Sequence, residues 1–178
     1  MKVFIAVLLL LLSSISWAQK GQFISVADYQ ARFFADDTAW QTLWVDKALR
    51  DDVERLLGRR FSTLRLRYWG DQQRTGWVLE EIGKEYPITV GVVVDAGKII
   101  DLSILEYRES RGGEVRYPFF TQQFNQVALA AQSQPRLDKS IDGITGATLS
   151  VRALKKIATL ALFLHQQTPF NQPVSEGQ

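Results

Sequence analysis

The sequence predicts an α+β fold, a small twisted antiparallel sheet packed with helices. Apolar residues recur every second position in four runs between Thr63 and Tyr107. The connections between those runs are too short for parallel crossovers, so the strands pair antiparallel. Before and after the runs the spacing changes to three and four, the signature of helices. With 178 residues, 46% of them apolar, the chain can build one substantial core and has too little length for two.

The elements follow in order. Val26 to Phe34 can form a first helix, and the spacing of Trp40, Leu43, Trp44, Ala48 and Leu49 predicts a second from about Thr38 to Leu57. Asp36-Asp37 precede it, Gly58 stops it, and Trp40 and Trp44 read as core residues. Leu64, Leu66 and Tyr68 then alternate with Arg65, Arg67 and Trp69 in a first strand. Gly70 to Gln73 turn the chain, and Gly76 to Ile82 return it. Ile88 to Asp95 and Ile99 to Tyr107 form a second pair around Ala96-Gly97-Lys98. Glu109-Ser110-Arg111-Gly112-Gly113-Glu114 is a polar glycine loop. A helix from Pro118 or Phe119 to Gln132 should follow, and a last one from near Ser150 to His165. Val151, Leu154, Ala158, Ala161 and Leu162 make the apolar face of that last helix. The expected organisation is a leader at 1–18, a helical segment at 19–62, the main domain at 63–167 and a flexible tail at 168–178.

Composition excludes whole classes of chemistry. There is no cysteine, one methionine and one histidine, His165. Thiolate zinc, iron–sulfur clusters, blue copper and attached c-type haem are therefore excluded. Redox chemistry in this chain would need an organic cofactor. The N-terminus has Lys2, a ten-residue apolar run from Val3 to Leu12, and Ser16-Trp17-Ala18. That is the pattern of a cleaved signal peptide and is shorter than a spanning helix, so export to the periplasm is expected, with an uncleaved N-terminal membrane anchor as the alternative. Without Lys2 the chain holds 20 basic and 19 acidic residues. Arg59-Arg60 and Lys155-Lys156 are isolated pairs, and no nucleic-acid partner is expected.

The informative segment is Asp142-Gly143-Ile144-Thr145-Gly146-Ala147-Thr148-Leu149-Ser150. Gly143 and Gly146 permit positive φ, Ser150 is a candidate N-cap, and a helix N-terminus with its free N–H groups attracts phosphate. On the residues alone, the segment is either an ordinary glycine turn with its cap or a phosphate loop holding Thr148.

Asp142, Thr145, Gly146, Ala147 and Thr148 resemble the flavinylation motif Asp-x-x-(Ser/Thr)-Gly-Ala-Thr of the FMN-binding domain family. That family includes the C subunit of the sodium-pumping NADH:quinone reductase and the G subunit of Rnf complexes. Tyr86-Pro87-Ile88 through Asp95-Ala96-Gly97-Lys98-Ile99, and Gln123-Phe124, resemble the family's upstream pattern in the same order. The resemblance runs from about Gly76 to Leu162 and implies an FMN-binding-domain fold. It further implies FMN joined covalently to the Thr148 hydroxyl as a phosphodiester. A separate flavin transferase would attach it from FAD, with Asp142 and Thr145 recognised by that enzyme or shaping the loop.

Where the pumping branch has Glu-Thr-Pro-Gly-Leu-Gly beside the flavin, this chain has Glu109-Ser110-Arg111-Gly112-Gly113-Glu114. Glu109 and Gly112 align, and Arg111 replaces proline. Arg111 is then either a cation near the flavin or a solvated loop residue, and Lys139 either approaches the FMN phosphate or lies on the surface. His165 reads as a packed or capping residue of the last helix turn. The expected function is an electron-transfer module between redox partners such as a cytochrome or a membrane reductase. A flavin-dependent reductase of a small acceptor and an unmodified binding module are the alternatives.

Overall fold

The period-two segment becomes a meander of four strands: β3 (Arg65–Asp71), β4 (Arg74–Ile82), β5 (Pro87–Asp95) and β6 (Lys98–Tyr107). The computed structural model describes residues 21–171, so the leader at 1–18 and most of the expected tail lie outside the described residues. Two strands from the N-terminal segment complete the sheet, β1 (Gly21–Gln22) beside β6 and β2 (Trp40–Trp44) beside β3. The order is β1-β6-β5-β4-β3-β2, antiparallel throughout. The α+β class holds, with helices α1 (Val26–Ala31), α2 (Lys47–Leu57), α3 (Pro118–Thr121) and α4 (Thr148–His165).

Residues 38–57 correct the sequence reading. Trp40 to Trp44 form an edge strand, and the helix starts only at Lys47. Trp40, Thr42 and Trp44 are good strand formers on one face, while Leu43 turns to the core. Three and four positions separate the apolar residues in either structure, so the spacing misled. The helix cap is Asp46, whose Oδ1 accepts the Leu49 N–H at 2.8 Å. Trp40 and Trp44 are 38% and 68% exposed, so neither is the core residue expected. Gly58 does end α2, with φ of 69° and its N–H on the Glu54 carbonyl.

The helix expected from Pro118 to Gln132 is also much shorter. After α3 and a 3-10 turn at Gln122–Phe124, Gln126 takes φ of 61°. The backbone then hydrogen-bonds to Ile99, which gives its N–H to Val127 and its carbonyl to the Gln126 N–H. Those bonds to the start of β6 compete successfully with another helical turn.

Both sheet faces are covered. On the main face α4 lies over β4 and β5, with Val151, Leu154, Ile157, Ala158, Ala161 and Leu162 buried against Trp77, Val90 and Val92. On the other face Tyr29 of α1 sits over Gly91, where a Cβ would fall 2.4 Å from its ring. The Tyr29 hydroxyl donates to Asp101 at 2.8 Å, which anchors α1 to β6. α4 is fixed at mid-length by Lys156, which donates to the Leu57 carbonyl and to buried Glu81. Arg59 closes the same cluster, donating to Glu81 Oε2 from Nε at 2.9 Å and Nη2 at 2.8 Å. At its far end, His165 is buried and its Nδ1 lies 2.8 Å from Thr75 Oγ1. Trp77 Nε1–H donates to the same oxygen at 2.9 Å, so Thr75 joins the histidine and the tryptophan in one buried cluster. The histidine is a packed residue, as its place in the sequence suggested. None of the helices among the described residues is long and apolar enough to cross a membrane.

Candidate functional site

The site forms where the 109–113 loop meets the N-terminus of α4. The helix begins at Thr148, two residues earlier than the sequence suggested, and Ala147 is its N-cap residue. Ser150 is therefore not the cap. It lies inside the first turn, buried, with Oγ 2.9 Å from the Tyr107 hydroxyl. Tyr107 gives its own proton to the Arg111 carbonyl at 2.6 Å, so Ser150 is the donor to Tyr107. This relay ties the end of β6, the 109–113 loop and the start of α4 together.

The relay leaves the first turn of α4 without a side-chain cap. The N–H groups of Thr148, Leu149 and Ser150 have no acceptor among the described residues. Their partial positive charge adds to the helix dipole, which favours an anion there. Thr148 is exposed beside them, so its hydroxyl is accessible.

A cavity of about 530 Å³ opens on this turn, lined by Lys84, Glu109, Ser110, Arg111 and Gly146 to Ser150. Glu109 lines it while serving a structural task. Its Oε1 accepts the N–H groups of Lys84, Glu85 and Tyr86 at 2.5, 2.7 and 2.9 Å. Burial opposes its ionisation, but those three donors and the Lys84 charge prevail and hold the carboxyl below its ordinary range. The β4–β5 turn is thereby latched to the cavity wall.

The sequence-selected residues divide by position. Glu109, Ser110, Arg111, Gly146, Ala147, Thr148, Leu149 and Ser150 come together around the cavity. Gly112 and Gly113 lie behind it. Gly112 has φ of 77°, and a Cβ there would stand 3.1 Å from the Tyr107 hydroxyl and 3.2 Å from Ser150 Oγ. Gly146 also has positive φ, 83°, whereas Gly143 does not, contrary to its expected role. Asp142 and Thr145 are exposed on the approach to the turn, and Ile144 accepts the Ala147 N–H. The Asp142 N–H donates to Gln123 Oε1 at 2.7 Å, so the segment is held against the 3-10 turn.

Lys139 is on the opposite side of Thr148, lining a second cavity and donating to the Gln126 carbonyl at 3.3 Å. The sequence reading missed Lys84, which enters the site through a turn fixed by Glu109. It also missed the Tyr107–Ser150 relay. Nothing in local spacing reports either, because each joins segments about 25 or 43 residues apart.

The exposed hydroxyl and the free N–H groups set an anion-favouring helix start beside a cavity of about 530 Å³. No curated protein matches the chain. The span from the latched β4–β5 turn to the body of α4, residues 83–162, matches the family model described as FMN-binding domain, so that segment is an FMN-binding domain and the protein a flavin-binding one.

Proposed function

We propose that this protein is an exported electron-transfer flavoprotein that carries FMN covalently on Thr148. The carrying observation is the exposed Thr148 side chain at an uncapped helix start whose three N–H groups lack acceptors. Those groups suit the phosphodiester, which keeps one negative charge. The cavity beside them has room for the attached body and is walled by Ser110, Arg111 and Lys84.

Attachment would be the work of a separate flavin transferase with FAD as donor. Thr148 Oγ forms a bond to the FMN phosphorus, the pyrophosphate bond to AMP breaks, AMP leaves, and the hydroxyl proton passes to solvent. Asp142 and Thr145, both exposed, are available for that enzyme to recognise. Flavin, once bound, exchanges one or two electrons with redox partners, cytochromes or a membrane reductase among them. The chain's own task is to hold the group at a fixed place and wall it with cations. The N-terminal pattern of Lys2, Val3 to Leu12 and Ser16-x-Ala18 supports a periplasmic location. A covalent tether suits that compartment, because the attached group does not depend on a free pool.

The reading is tested by reducing the flavin-loaded protein and following its reoxidation. Single-electron haem acceptors should oxidise it, and steady-state turnover with small organic acceptors should be slow and show no saturation. Fast, saturable turnover with one such acceptor would instead make the protein a reductase.

A further inference from the structure

A second cavity, about 490 Å³, opens on the other side of the acceptor threonine, between α4 and residues 135–139. Thr148 is the one residue lining both cavities. The floor is apolar, built from Leu56, Leu137 and Val151. Arg152 and Lys155, three residues apart on α4, stand on one lip, and Arg136 and Lys139 on the other. None of these four cations makes an ion pair among the described residues. Lys156, the next residue along, is neutralised by buried Glu81.

Like charges gathered round one concavity repel, and no ion pair among the described residues offsets them. The chain carries nearly equal numbers of acids and bases, so this positive field is local. The counter-charge it calls for must come from outside. Because the cations stand on both lips and the floor is apolar, the groove suits a broad surface better than one small anion. Such a surface would set carboxylates on the lips and bury an apolar residue between them.

We propose that this groove docks an acidic face of the protein that exchanges electrons with this one, which rests on the function proposed above. Docking there brings the partner to within one residue of the flavin's attachment point while the neighbouring cavity stays free for the flavin. Electrostatic steering would set the encounter rate and make it salt-dependent.

Two haem proteins of opposite surface charge serve as probes, acidic cytochrome b5 and basic cytochrome c. Electron transfer from the reduced, flavin-loaded chain to the acidic probe should fall about tenfold between roughly 20 and 200 mM salt. The double variant Arg152→Glu, Lys155→Glu should lower that rate about tenfold at low salt and flatten its salt dependence. The basic probe should respond to salt in the opposite sense. A carbodiimide should link carboxylates of the acidic probe to Lys139 or Lys155, whether or not the chain carries flavin. A rate indifferent to salt and to the double variant, or crosslinks mapping elsewhere, would overturn the proposal. A chain that acquires no FMN when coexpressed with a flavin transferase, yet crosslinks through these lysines, fails the function above and keeps the docking surface. A flavin-loaded chain that does not crosslink there fails the surface alone.

Discussion

Gly112 shows how much of the site depends on single backbone positions. Its φ of 77° is a left-handed conformation that disfavours side chains, and a Cβ there would stand 3.1 to 3.2 Å from the Tyr107 hydroxyl, Ala147 Cβ and Ser150 Oγ. Gly112→Val should cost about 3 kcal/mol, combining left-handed strain with displacement of the relay. Gly143 has open space around it and no positive φ, so Gly143→Ala should stay within about 0.5 kcal/mol. Urea unfolding of the two variants checks the contrast. Both glycines stand in segments selected from the sequence, yet composition alone cannot rank them. The conformation of each depends on what packs against it. Ser150 makes the same point, since an N-cap and a buried serine at the third helical position look alike in one dimension.

At the scale of elements, two buried titratable groups join segments that are distant in sequence. His165 binds α4 to β4 through Thr75, and burial pushes its pKa down, partly opposed by Asp95. Glu109 latches the β4–β5 turn to the loop after β6, with its carboxyl held below the ordinary range. In both cases the unfolded chain binds a proton more readily than the folded one, so stability falls as pH falls. The histidine contribution is complete above the ordinary value of 6.5 and is lost from there downward through the folded pKa. The glutamate contribution is complete above its ordinary value of 4.5 and is lost as pH falls through its lowered folded value. Unfolding free energy measured against pH should decline in these two stages. His165→Asn, whose amide can hydrogen-bond Thr75 without titrating, should lack the upper one. A profile with no decline until well below 4.5 would contradict the burial of the histidine. The meander β3 to β6 was legible because every second residue in it faces a core. β2 was not, since its tryptophans lie on the exposed face of an edge strand, and the apolar spacing of Trp40, Leu43 and Trp44 also fits a helix. The early end of α3 depends on bonds to Ile99, which no local pattern encodes.

The whole molecule is a six-stranded antiparallel sheet that presents the start of one long helix at its surface. β6 delivers Tyr107 and the 109–113 loop, the β4–β5 turn supplies Lys84, and α4 brings Thr148 with free N–H groups. That convergence gives physical content to the segment Asp142 to Ser150, which by its residues alone reads sooner as an ordinary glycine turn with its cap. The motif singled out Thr148; only the fold showed a cavity of about 530 Å³ on one side of it and a cation-lipped groove on the other. The central claim is that Thr148 is the covalent acceptor. Intact mass of the protein coexpressed with a flavin transferase tests it most directly. The native chain should gain one FMN less one water, and Thr148→Ala, which leaves the helix start in place, should gain nothing. A native chain that stays unmodified, or a Thr148→Ala chain that still acquires the flavin mass, would contradict it.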